Sequence, residues 1–292
     1  MKPTQRTEIS SKKYLFLSAI CIALLTAVVG STMAQDIAPL PPRTQVEKTW
    51  TDHFWTGPDG TKFHYVEQGS GTPMILIHGL TSSATNNWFS TGIGQKLAKT
   101  NRVIAIDMRG HGETGPSPED SDGTMIQDII DFMDYLKIEK AHIGGYSMGG
   151  ATTSGLLKIA PERFITASVM GIGIKETEEW RDIAPKDPVP ARATDTENDR
   201  PRVDLTLNRS GTPRGAPKGA PEANPEVDLT TIKFPVLALN GGNDRPISKT
   251  HRMWRELIDF TYVVIPGRNH IEACRDPLFG DALVRFITSN NP

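Results

Sequence analysis

The sequence predicts an α/β fold built on a doubly wound, mostly parallel sheet, and three observations carry that reading. Short continuous apolar runs end in glycine or polar residues, segments of helical period lie between them, and one serine sits among glycines where such a run gives way to a helix. Continuous apolar runs suit strands buried on both faces, the arrangement of a parallel sheet. Alternating them with helices covers those two faces. The composition is compatible: 292 residues, 37% hydrophobic, with a formal net charge of -2. That balance supplies neither a basic groove for nucleic acid nor a polybasic patch for a membrane surface.

The first 34 residues stand apart from the fold. "MKPTQRTEISSKKY" is a polar, basic start, "LFLSAICIALLTAVVG" is uncharged and apolar, and "STMA" ends in small residues. This order predicts a secretory signal peptide cut before Gln35, hence a periplasmic or secreted protein with no stable membrane association after cleavage. The alternative is an uncleaved anchor, for which the apolar run falls short of the ~20 residues that span a bilayer. Residues 35–49, including "APLPPRTQ", read as a Pro-rich linker, and 50–292 as one domain. Without Cys21, Cys274 is the only cysteine, so no internal disulfide is expected. It is expected to be buried as a small hydrophobe.

Taken in order, "KFHYVEQG" alternates and ends in a turn, as an edge strand does. "MILIHG", "RVIAIDM", "AHIGGYS", "ITASVMGIG", "PVLALNGG" and "TYVVIPG" are the continuous runs expected inside the sheet. Thr124 is placed to cap a helix in "TMIQDIIDFMDYL", where Met125, Ile129, Met133 and Leu136 share one face. "KTHRMWRELI" and "PLFGDALVRFI" read as helices, the second with Pro277 in its first turn. From about 175 to 231 the rhythm breaks into a stretch rich in proline, charge and small polar residues. It buries too little to offset its ordering entropy, so an irregular, mobile excursion is expected, with one short helix near "ETEEWRDIA".

"HIGGYSMGGAT" holds the chemistry. Gly145-Tyr146-Ser147-Met148-Gly149 fits G-x-S-x-G, a strand-to-helix turn that forces its serine into a strained conformation and raises the hydroxyl above the sheet edge. The residues two before and two after the serine approach each other, so Gly145 and Gly149 must lack bulk, while Gly144 and Gly150 allow close packing. A serine needs a base. Of seven histidines, His270 in "IPGRNHIEA" follows the last predicted strand in a polar loop, and it is assigned the role. His53, His64, His78, His111, His142 and His251 are read as structural. Asp244, on the loop of "VLALNGGNDRPI" with Gly241 and Gly242 permitting the turn, is the expected acid, which would orient the imidazole. Glu176 and Glu178 are its rivals, and an Asx turn before Pro246 is its plain structural reading. Two main-chain N–H groups, of Met148 and Leu80, would hold an oxyanion.

"HGL", "DMRGHG", "GYSMGG", "GGND" and "NH" together resemble the α/β-hydrolase superfamily, in its serine-nucleophile, esterase- or lipase-like branch, from about Phe54 to Phe286. The resemblance implies Ser147, Asp244 and His270 as nucleophile, acid and base, with Leu80 and Met148 as oxyanion donors. It also implies a structural turn at Asp107, Arg109, Gly110 and Gly112. Serine rather than aspartate as nucleophile argues against epoxide-hydrolase and haloalkane-dehalogenase chemistry. The Pro-rich excursion occupies the place of the family's helical cap. The implied function is an exported carboxylic-ester hydrolase acting on a small molecule, with neither metal nor organic cofactor expected. Amide, carbon–carbon or peracid chemistry, or a non-catalytic binding role, are the alternatives.

Overall fold

The structure, a computed structural model, describes residues 38–41, 46–187, 219 and 227–292. Two units divide at Pro39. The unit Leu40–Pro292 carries every described strand and helix. The expected signal peptide, part of the linker and most of the Pro-rich excursion lie outside the described residues.

Eight strands form one sheet: β1 Thr51–Thr56, β2 Lys62–Gln68, β3 Thr72–Ile77, β4 Asn101–Ile106, β5 Ala141–Tyr146, β6 Phe164–Met170, β7 Val236–Gly241 and β8 Phe260–Ile265. Their spatial order is β1-β2-β4-β3-β5-β6-β7-β8. The pairs β1–β2 and β2–β4 are antiparallel, and the other five pairs are parallel. Register brings the carboxyl ends of the central strands level. Ile77 lies opposite Gly145, Tyr146 opposite Met170, and Gly241 opposite Ile265. The loops that leave these ends therefore share one rim, the usual binding edge of an open α/β sheet.

Alternation along each strand feeds two cores. Ile75, Ile77, Ile104 and Val169 face helices α2 (Met125–Tyr135) and α3 (Met148–Ile159), packing with Phe132, Met133 and Leu156. Met74, Leu76, Val103 and Leu239 face the other way. There they meet Trp88, Phe89, α1 (Ile93–Leu97) and α6 (Pro277–Ser289). Each such side chain contributes about 1.5–3 kcal/mol on burial, which explains why the runs are predominantly apolar.

The helices largely follow their expected starts. Thr124 caps α2, its side chain accepting from the Gln127 N–H at 3.2 Å, and Pro277 opens α6 after the Asp276 cap. Helix α4 spans Pro246–Glu256, beginning three residues before the predicted stretch because Pro246 supplies a preset first turn.

The edges differ from expectation. β2 is paired on both sides and has four consecutive buried residues, so β1 is the edge strand, with only Trp55 buried. β8, predicted as an interior strand, closes the opposite edge and is half-exposed. Of the predicted excursion, the helix near "ETEEWRDIA" is a single turn, Glu178–Trp180. Its far boundary is too late: Val227 and Leu229 are already in the core. Asp228 caps the turn Leu229–Thr231, and the Arg252 guanidinium donates to the Val227 carbonyl at 2.8 Å, which draws this stretch onto α4.

Phe132 is fully buried, with its ring against Trp55 and Tyr65. Phe132→Ala should therefore lower the unfolding free energy by about 3–5 kcal/mol in urea titrations followed by circular dichroism.

Candidate active site

The site begins with a bend in the backbone. Ser147 has φ 54° and ψ -109°, outside the comfortable regions for an L-residue, and it joins β5 to α3. Two contacts hold it there: its N–H donates to Met170 O at 2.8 Å, and the Gly149 N–H donates to His78 O at 3.1 Å. A methyl group on Gly145 would stand 2.0 Å from the Gly149 carbonyl oxygen, and one on Gly149 would stand 2.2 Å from that of Ile77. Both glycines are thus required by close backbone approach, as the sequence pattern implies.

The structure brings Ser147, His270 and Asp244 together. The Ser147 hydroxyl donates to His270 Nε2 at 2.9 Å, and His270 Nδ1 donates to Asp244 Oδ2 at 2.7 Å. With Asp244 ionised, Nδ1 carries the proton and Nε2 is left as acceptor, the tautomer that proton abstraction needs. His270 is not in an open loop. It is the first residue of a one-turn helix, α5 (His270–Ala273), capped reciprocally by Asn269 and Glu272. "NHIE" carries that capping-box signal.

Asp244 sits where its loop predicts, though Gly241 and Gly242 serve the turn differently. Neither has a positive φ. A methyl on Gly241 would lie 2.2 Å from the Arg268 carbonyl oxygen, so glycine lets the acid's loop lie against the base's loop. Burial works to raise the Asp244 carboxyl, but hydrogen bonds from His270 and Lys249, and their charges, outweigh it and hold it below the usual range. Lys249 carries no signal in the sequence. Its Nζ sits 2.6 Å from Asp244 Oδ1 and donates to the Gly171 carbonyl at 2.9 Å. Nothing marks this lysine among the helical residues of α4 until the fold sets α4 beside the end of β6.

The rival acids are elsewhere. Glu176 pairs with His251 at 2.5 Å and Arg255 at 2.8 Å, and Glu178 pairs with Arg181. The remaining histidines are occupied too. His64 bonds Asp107, His142 lies between Thr166 and Asn291, and His111 meets the Arg109 carbonyl. His53 stacks on Tyr65. Asp107 also accepts from the Ala84 and Glu113 N–H groups, and a methyl on Gly112 would collide with its carboxylate. Buried Arg109 reaches Asp128 at 2.5 Å and Asp59 at 3.2 Å.

The loop after β3 leans on the bend. A methyl on Gly79 would stand 3.5 Å from Ser147 Cβ. Among the described residues, neither the Leu80 nor the Met148 N–H is taken up by a hydrogen bond. His78 fixes this loop from beneath: its Nε2 accepts from the Met108 N–H at 3.0 Å and its Nδ1 donates to Gly79 O at 2.7 Å. Tyr146 backs the base, its hydroxyl donating to the His270 carbonyl and its ring tilted against the imidazole. Burial pushes that phenol far up. A cavity of about 370 Å³ opens over Ser147 and His270. Cys274, the residue after α5, is partly buried rather than fully so: it packs against the core and also lines this cavity.

Comparison with known proteins agrees with this architecture. The family model described as the alpha/beta hydrolase fold matches residues 72–203. The chain has the α/β-hydrolase fold. The meta-cleavage product hydrolase of Pseudomonas fluorescens IP01 superposes with a TM-score of 0.60 at 25% identity, covering 82% of this chain and 98% of that one. Esterase YbfF of Escherichia coli is 33% identical over 96 residues, 33% of this chain and 37% of its own length. The 2-hydroxy-6-oxo-6-(2'-aminophenyl)hexa-2,4-dienoic acid hydrolase of Metapseudomonas resinovorans is 33% identical over 141 residues, 48% of each chain. The chain thus spans a quarter to a half of the length of the curated relatives it matches.

Burial drives the His78 imidazole down to about 4. Unfolded, it titrates near ~6.5. Between these values only the unfolded chain takes up the proton, so the stability this group contributes is whole above ~6.5 and lost as pH falls towards 4. Urea midpoints should decline across that window, and His78→Asn, which keeps a donor near the Nδ1 position, should flatten the decline. An unaltered slope would refute the assignment.

Proposed function

We propose that this α/β-hydrolase-fold protein is an exported serine hydrolase that cleaves carboxylic esters through an acyl-enzyme on Ser147. The observation that carries the reading is the continuous chain of hydrogen bonds from hydroxyl to imidazole to carboxylate, 2.9 and 2.7 Å long, beneath an open cavity. The name of Esterase YbfF supports it at the level of reaction class.

In this mechanism the Ser147 oxygen attacks the ester carbonyl while His270 Nε2 takes its proton. The carbonyl oxygen becomes an oxyanion and accepts from the Leu80 and Met148 N–H groups, the second aided by the start of α3. Asp244 keeps the ring oriented and supports the imidazolium. His270 then passes the proton to the departing alcohol as the C–O bond breaks. Water, deprotonated by the same nitrogen, attacks the acyl group, and the acid leaves with Ser147 restored. Lys249, bonded to the far oxygen of Asp244, opposes protonation of that carboxyl. No step calls for a metal or an organic cofactor.

A second reading keeps these residues and changes the bond attacked, to an amide, a carbon–carbon bond or a peracid. The likeness to the aminophenyl-hexadienoic acid hydrolase is what favours testing it. Serine at position 147 sets the chain apart from aspartate-nucleophile chemistry. Export rests on the character of residues 1–34, and amino-terminal sequencing of the mature protein should return Gln35 as its first residue.

A fluorophosphonate probe should label the protein on Ser147, and Ser147→Ala should abolish both labelling and p-nitrophenyl ester turnover. Asp244→Asn, which leaves the ring without its carboxylate, should cut kcat about 10³–10⁴-fold in a spectrophotometric assay. Turnover of esters by Ser147→Ala at the unsubstituted rate would end the reading.

A further inference from the structure

The cavity over Ser147 is uneven in charge. Arg275 is the one ionic side chain on its wall apart from the imidazole of His270, and no carboxylate lines it among the described residues. Half-buried, the Arg275 guanidinium makes no ion pair among the described residues. The acidic groups next to it along the chain are committed elsewhere. Glu272 closes the capping box on the Asn269 N–H, while Asp276 accepts from Arg268 Nε at 2.7 Å and caps α6. A cation left without a counter-ion in a concave, partly desolvated site attracts an anion more strongly than one in open water. Polar side chains share the lining: Thr81 and Ser82 from the loop after β3, with Thr81 held at φ 64°, and Asn86 from the helical turn Thr85–Phe89. Leu80 and Ile271 supply the apolar remainder.

We propose that Arg275 determines the specificity of this pocket, selecting esters that carry a second, ionised acid group. The inference deepens the ester-hydrolase reading and rests on it. The planar guanidinium offers a carboxylate two parallel N–H donors, so the ligand class is a carboxylate-bearing ester rather than a simple fatty ester. A volume of about 370 Å³ holds a short chain and one such group. Hydrolysis of that substrate yields a free acid and an alcohol, with water as the only co-reactant.

Two matched pairs of esters test this. One pair carries the charge in the acyl part, p-nitrophenyl hydrogen adipate against p-nitrophenyl hexanoate. The other carries it in the alcohol part, 4-acetoxybutanoate against butyl acetate. In at least one pair, Arg275→Gln should lower the ratio of charged to neutral kcat/KM about tenfold, with partial recovery in Arg275→Lys. A ratio unchanged within twofold in both pairs overturns the proposal while leaving ester hydrolysis standing. Calorimetric binding of adipate to Ser147→Ala separates the two failures. If no ester is turned over, adipate affinity that drops about tenfold with the added Arg275→Gln change still supports the anion site. Adipate that binds both proteins alike, or neither, overturns it.

Discussion

The approach of Gly145 to Gly149 is the constraint on which the functional rim depends. With 2.0 Å between an imagined methyl and the opposing carbonyl oxygen, strand β5 and helix α3 can share a tight bend only if both positions are bare. That bend throws Ser147 to a positive φ, and the strain is held by the main-chain bonds to Met170 and His78 on either side. The neighbouring strands are therefore not a passive platform. Without β3 and β6 in register beside β5, nothing would keep the hydroxyl raised.

The same economy of bulk recurs at the acid. Gly241 lets the loop after β7 lie against Arg268, so carboxylate and imidazole meet although they leave different strands. Electrostatics then sharpens the geometry. Desolvation alone would raise the Asp244 carboxyl, yet one oxygen bonds His270 and the other bonds Lys249, so the carboxyl is held below its usual range and its orientation is pinned from two directions. His270 is fixed by its cap, by the Tyr146 hydroxyl and by Asp244, so a small helix of four residues suffices to orient it.

Much of this was readable in the residues because the constraints are local. Continuous apolar runs disclosed the strands, and G-x-S-x-G with its flanking glycines disclosed the bend. Chain order disclosed which aspartate and histidine follow. What escaped reading depends on tertiary neighbours. β2 and β8 exchange their expected interior and edge roles because a run's hydrophobicity does not report which strands dock beside it. Lys249, inside α4, and Cys274, just after α5, sit in stretches whose sequence says nothing of what they abut. The excursion ends earlier than its composition predicts because two apolar residues, Val227 and Leu229, reach the core from a stretch that averages as polar.

The sequence separation between Ser147 and His270 has a temporal consequence. The Ser147–His270 bond closes a span of 123 positions, and the base follows β8, the last strand of the sheet. Contacts so distant along the chain form late, after the ordering entropy of everything between them has been met. Nascent or partly folded chains thus hold a hydroxyl without its base, which is chemically inert. On the proposed mechanism, reactivity would be gained only once this contact has closed, and so would double as a readout of complete folding.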